Sequence, residues 1–112
     1  MEMKNVTVAL SALAQESRLA VFRLLVQAGP EGLAATKIAE ALEIAPSSLS
    51  FHLKELTHAN MVTQKKAGRS LIYSANFETM NGLLSFLTEN CCGGNLCSPV
   101  RLSDCSNEGI CS

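Results

Sequence analysis

Five cysteines carry the most distinctive chemistry of the chain: Cys91, Cys92, Cys97, Cys105 and Cys111, all in its last stretch. An odd count of thiols argues against a disulfide framework and for metal or redox chemistry. The run Cys91-Cys92-Gly93-Gly94-Asn95-Leu96-Cys97 sets two adjacent thiols before two glycines. Glycine freedom there lets the chain fold back and bring a third thiol to the pair. Three thiolates without a nitrogen or oxygen ligand suit a soft, thiophilic centre. Zinc prefers four ligands, commonly with histidine, and the two histidines, His52 and His58, lie far upstream. Adjacent cysteines are poor disulfide partners, because neighbouring Cα atoms sit about 3.8 Å apart, below the usual disulfide span. A switch disulfide from Cys97 to Cys105 or Cys111 is feasible. Three fates therefore stand beside one another: a soft-ion site at Cys91, Cys92 and Cys97, a thiol redox switch, and a tail whose cysteines are incidental. Cys105 and Cys111 are second-choice ligands.

A second set of residues lies between Ser47 and Ala59. Read as a helix, that stretch aligns Leu49, Leu53 and Leu56 at i, i+4 and i+7, one apolar stripe. Ser47, Ser50, Phe51 and Lys54 fall on the other side. Hydroxyls, a ring and a cation can enter a DNA groove and touch base edges and phosphates. Taken alone, the same pattern fits an ordinary amphipathic surface helix. Its surroundings favour the groove. A short helix around Thr36 to Leu42, with Thr36 or an adjacent residue near its cap, precedes it, and Glu43-Ile44-Ala45 makes the turn. Pro46 sits where a first-turn proline is tolerated. A short helix, a three-residue turn and a polar-faced helix make a helix-turn-helix. After Asn60 the period changes to two. Val62, Gln64 and Lys66 alternate with Thr63 and Lys65, Ala67-Gly68-Arg69-Ser70 turns, and Leu71 to Ser74 runs back. This is a β-hairpin with cations at its tip, the wing of a winged helix. The candidate DNA contacts are Ser47, Ser48, Ser50, Phe51, His52 and Lys54 on the helix and Lys65, Lys66 and Arg69 on the wing. For the wing the alternative is a structural hairpin with solubilising cations. For His52 it is a packing role.

These elements need a scaffold. The chain has 112 residues, enough for one core. Aromatics make up only 4% of it and Trp is absent, which favours helices packed through Ala, Leu and Val over a β-sandwich. A first helix is expected over Asn5 to Leu13, with Val6, Leu10 and Leu13 as its stripe. A second, starting at Gln15-Glu16-Ser17 and apolar nearly all round, should be buried and should stop at Ala28-Gly29-Pro30. A last helix, Phe77 to Glu89, places Met80, Leu83, Leu84 and Leu87 on one stripe. One protomer offers little core for that stripe to cover, so a two-fold dimer through the first and last helices is expected. Residues 1–90 then form the DNA-binding and dimerisation domain and 91–112 the cysteine-rich sensing tail. Net charge is −1, yet charge is uneven. Between Ser50 and Asn76, Lys54, Lys65, Lys66 and Arg69 face Glu55 alone, and a local basic patch binds phosphate whatever the total. No stretch is long enough to span a bilayer. Val6 to Ala14 carries a small-x-small pattern at Ala12-Leu13-Ala14, but it is short, interrupted by Thr7 and Ser11, and preceded only by Lys4. A cytoplasmic, uncleaved chain without a membrane partner is expected. No acid/base pair, nucleotide loop or Ser–His constellation suggests an enzyme.

Three segments are similar to the ArsR/SmtB family of metal-responsive bacterial repressors. Leu13-Ala14-Gln15-Glu16-Ser17-Arg18-Leu19 resembles the family's opening segment. Ser48 to Leu56 followed by Ala59-Asn60-Met61-Val62 resembles its recognition helix and exit, and Lys65 to Tyr73 its wing. The resemblance spans roughly Asn5 to Glu89. It implies a mainly α fold with a small β-hairpin, a homodimer on an inverted repeat of operator double-stranded DNA, and release when a metal or metalloid binds. The family's best-known arsenic site places cysteines in the helix before the recognition helix, where Gly32 to Leu42 has none. Its zinc site uses Asp, His and Glu of the last helix, where Phe77 to Asn90 has no His or Asp. Relatives often carry a polar residue where this chain has Phe51. The sensing site is therefore expected at Cys91, Cys92 and Cys97. Trivalent arsenic or antimony is the expected inducer, taking three sulfurs in a pyramid, and some family members resemble this chain in carrying arsenic thiols near the C-terminal helix. No organic cofactor is expected.

Overall fold

The computed structural model describes residues 1–89. The expected sensing tail, with Cys91, Cys92, Cys97, Cys105 and Cys111, lies outside the described residues. Among the described residues, five helices and three short strands follow in the order α1 (Met3–Leu13), α2 (Glu16–Ala28), β1 (Leu33–Ala34), α3 (Ala35–Leu42), α4 (Pro46–His58), β2 (Val62–Ala67), β3 (Ser70–Ala75) and α5 (Phe77–Leu87). The winged helix-turn-helix expected from the sequence is present. No helix among the described residues is long and apolar enough to cross a membrane.

The core forms where the apolar faces of α2, α3 and α4 meet the base of the wing. Val21 and Leu25 of α2, Ile38 of α3, Leu49, Leu53 and Leu56 of α4, and Met61 and Val62 at the start of β2 are all buried. The i, i+4, i+7 stripe of α4 thus does what its spacing requires. On α1 the buried face differs from the expected one. Val6, Ala9 and Ala12 turn inward, while Leu10 stays 40% exposed and Leu13 half-buried. Alanines let α1 lie close to its neighbours, and the larger Leu10 and Val8 are left on the outside. Nor is α2 buried all round. Val21, Phe22 and Leu25 are covered, but Leu19 is 43% exposed.

Local signals decide the boundaries. The Gln15 side chain accepts a hydrogen bond from the Arg18 backbone N–H at 2.9 Å and caps α2. Gly29, with φ +83, closes that helix. At α3 the cap is Ala34, without a side-chain bond, and Thr36 lies within the first turn. The cap thus falls just before the expected place at Thr36 or its neighbour, because the chain enters α3 directly from β1 and the helix starts one residue earlier than expected. Asn60 takes φ +62 after α4, the left-handed closure that Asn tolerates.

The strands form one antiparallel sheet in the order β1-β3-β2. The hairpin register runs from Val62 opposite Ala75 to Ala67 opposite Ser70, so Gly68 and Arg69 make a two-residue turn. Gly68 supplies the positive φ, +66, that such turns need. The two-residue β1 was not expected. It pairs Leu33 with Tyr73 and Ala34 with Ile72, and so ties the wing to the entrance of α3.

Candidate nucleic-acid interface

On α4, Ser47, Phe51, Lys54 and His58 recur at i, i+4, i+7 and i+11. That spacing sets them in one ridge opposite the buried leucines. All four are exposed, as are Ser48 and Ser50 on the flanks. His52 differs from the other expected contacts. It is half-buried beside the leucine stripe, and its Nδ1 is buried without a hydrogen-bond partner among the described residues. Pro46 opens α4 at its first turn, where its missing N–H breaks no helix bond. The serines behind it therefore stand at a helix start, where free backbone N–H groups and the helix dipole favour anions such as phosphate.

The wing adds the cations. Successive strand residues point to opposite faces. Val62 is buried, so Gln64 and Lys66 share the face that looks toward α4, and Thr63 and Lys65 share the other. A hydrogen bond of 3.1 Å between the Thr63 and Ser74 hydroxyls clamps that second face. Lys65, Lys66 and Arg69 are all exposed, with Arg69 at the turn. Between helix and wing lies an open recess of about 320 Å³ lined by Ser50, Leu53, Lys54, Thr57, His58, Gln64 and Tyr73. The structure thus brings Ser50 and Lys54 to one recess with residues the sequence reading left aside. His58 was legible, four residues beyond Lys54 on the same ridge. Gln64 was legible from strand alternation once Val62 is taken as buried. Tyr73 depends on the hairpin register and had no local signal.

Arg18 is a further addition, from a different element. Its guanidinium carbon lies 6.0 Å from the centroid of the Phe51 ring, within cation–π range. The His52 ring meets the same phenyl edge-on, with centroids 5.9 Å apart and planes at 63°. Phe51 is nonetheless 56% exposed.

A soft-ion site is not built within this body. Among the described residues no group of three His, Cys, Asp or Glu side chains is placed to hold a metal ion. Every thiol of the sequence lies beyond residue 90.

Away from the ridge, a second surface is apolar. Leu13, Leu19, Phe22, Val26, Met61, Met80, Leu83 and Leu84 line a groove of about 330 Å³ between α2 and α5. Of the expected α5 stripe only Leu83 is buried, and Leu87 is 55% exposed.

Comparison with known proteins points the same way as the ridge. A family model described as a helix-turn-helix domain matches residues 13–65. The arsenical resistance operon repressor of Bacillus subtilis is 40% identical over 81 residues, 72% of this chain and 73% of that protein. Among solved structures, HlyU from Vibrio cholerae superposes with a TM-score of 0.64 at 26% identity, over 82% of this chain and 99% of that one; it has also been solved in a form described as reduced. A homodimeric winged helix-turn-helix DNA-binding domain from Mycobacterium bovis has a TM-score of 0.63 over 86% of this chain and 89% of its own. At 21% identity it shares the fold alone.

Proposed function

Because the chain belongs to the ArsR/SmtB family of DNA-binding transcriptional repressors, we propose that it is a metalloid-responsive repressor, released from operator DNA by trivalent arsenic or antimony. The observation that carries this reading is the identity to an arsenical resistance operon repressor along most of both chains. In the proposed complex Ser47, Ser48, Ser50, Phe51, His52 and Lys54 address the major groove, and Lys65, Lys66 and Arg69 grip phosphates. A two-fold dimer through α1 and α5 presents two such ridges to an inverted repeat. The apolar groove between α2 and α5 and the exposed Leu87 support that dimer, as does the homodimeric relative of the same fold. The protein works in the cytoplasm, where its operator is.

The inducer site is proposed at Cys91, Cys92 and Cys97, with Cys105 and Cys111 as further candidates. Three thiols exchange for the hydroxyls of arsenous acid, and each exchange releases one water. The exchange gathers the tail at the end of α5. Binding at that end need shift the DNA-bound state by only about 1–3 kcal/mol to lower affinity roughly 5- to 150-fold. A gel shift of the full chain on its promoter, with and without arsenite, tests the proposal. Arsenite should release the wild-type chain, and Cys92→Ser should stay bound. A complex unaffected by arsenite rejects the release mechanism, and normal release of Cys92→Ser rejects the ligand assignment.

The likeness to HlyU, solved in a reduced form, favours one second reading, a thiol redox regulator on the same fold. It predicts that peroxide, rather than arsenite, releases the chain, and that mass spectrometry then finds a Cys97-linked disulfide.

A further inference from the structure

The outward ridge of α4 contains one side chain with no hydrogen-bonding capacity, Phe51. It stands between Ser47 and Lys54 and is 56% exposed, with two side chains against its ring. Those neighbours restrain the ring. The Arg18 guanidinium sits 6.0 Å from its centroid, and the His52 ring stands against it edge-on at 5.9 Å. Arg18 Nε and His52 Nδ1 are both buried without a hydrogen-bond partner among the described residues. Each of these two side chains, one from α2 and one from α4, thus sets beside the ring a buried nitrogen that makes no hydrogen bond. A phenyl group held this way keeps a defined position on the exposed ridge.

The floor of the major groove offers donors and acceptors on every base pair and one apolar group, the C5-methyl of thymine. A phenyl ring can neither donate nor accept in the ordinary sense, so its complement there is that methyl. We propose that Phe51 is a specificity-determining residue that reads a thymine methyl in each half-site, with Arg18 as its positioning residue. The inference rests on the DNA-binding reading above and goes beyond it, because it names the base feature recognised and the side chain that recognises it.

The test begins by enriching duplexes from a randomised library with the full wild-type chain. The enriched duplex is then remade with deoxyuridine at one thymidine position at a time, which removes one methyl and leaves every hydrogen-bonding edge intact. Wild type should lose about four-fold in affinity at one thymine per half-site, the worth of one buried methyl group. Phe51→Leu should retain part of that penalty. Phe51→Ala should bind the thymidine and deoxyuridine duplexes equally, with the salt dependence of its binding to random duplex unchanged. Arg18→Gln, which keeps a planar polar group but loses the cation, should blunt the penalty. If deoxyuridine is silent at every position for wild type, or if Phe51→Ala keeps the full penalty, the methyl assignment is overturned while the DNA-binding reading stands. If no sequence is enriched at all, the DNA-binding reading falls and takes this inference with it.

Discussion

Lys65 and Arg69 act, in the proposed complex, through charge alone. Each phosphate contact releases condensed counterions from DNA, so removing one cation should weaken binding to every duplex alike. Lys65→Ala and Arg69→Ala each remove two cations from the proposed dimer and are each expected to lower the slope of log affinity against log salt by about 2, about 1 for each protomer, measured by fluorescence anisotropy across a salt series. An unchanged slope would make the wing a structural hairpin. Much of this face was readable from the chain. A period of 3.6 residues separates Ser47, Phe51 and Lys54 from Leu49, Leu53 and Leu56, and the structure keeps that separation. Arg18 was not readable. It lies thirty-three positions before Phe51, by subtraction of their numbers, and only the packing of α2 beside α4 brings the two together.

Among the elements, the wing depends on two glycines for different reasons. Gly32 has φ +72, and a Cβ there would overlap the Tyr73 carbonyl oxygen across the β1–β3 contact. Gly68 has φ +66 but open space around it. Gly32→Ala should therefore cost about 2–5 kcal/mol, about 1–3 from overpacking together with about 1–2 from the left-handed conformation. Gly68→Ala should cost about 1–2 kcal/mol from the left-handed conformation alone. Denaturant midpoints compare the two, and an equal loss would mean that the β1–β3 contact adds nothing. At the other end of β3 the Asn76 side chain accepts from the Thr79 backbone N–H at 3.2 Å and caps α5. Asn76→Ala should cost about 1 kcal/mol by the same measurement. The hairpin was legible because alternation and a Gly-containing turn coincide. Strand β1 was not, since two residues carry no alternation and the pairing is set by Tyr73, far along the chain. The cap of α3 is shifted for the same reason: Ala34 is already held as a strand when the helix begins.

In the molecule as a whole, apolar surface is left over on one side and polar surface on the other. Met3, Val8, Leu10 and Leu87 are exposed on α1 and α5, and a second copy would cover them in the proposed dimer. Leu87→Glu removes no core contact, so it should leave the fold intact while shifting sedimentation from dimer toward monomer and weakening binding to a two-half-site duplex more than to a single half-site. A variant that remains dimeric would place the interface elsewhere. The excess on α5 was visible in the sequence as a stripe with nothing to cover; on α1 the expected stripe was displaced, because alanines rather than Leu10 allow the close approach. One connection has a mechanical consequence. Strand β3 ends at Ala75 and α5 starts at Phe77, while the Asn76 N–H between them donates to the Met61 carbonyl at 2.8 Å. One residue and one hydrogen bond therefore separate the strand from the helix, and a turn of α5 would reach the wing unless the β1–β3 pairing held it back. Six strand residues reach about 20 Å, and a 5° turn of α5 would sweep Arg69 through roughly 2 Å by simple leverage. In the proposed complex that travel is of the same order as the reach of the hydrogen bond between Arg69 and a phosphate.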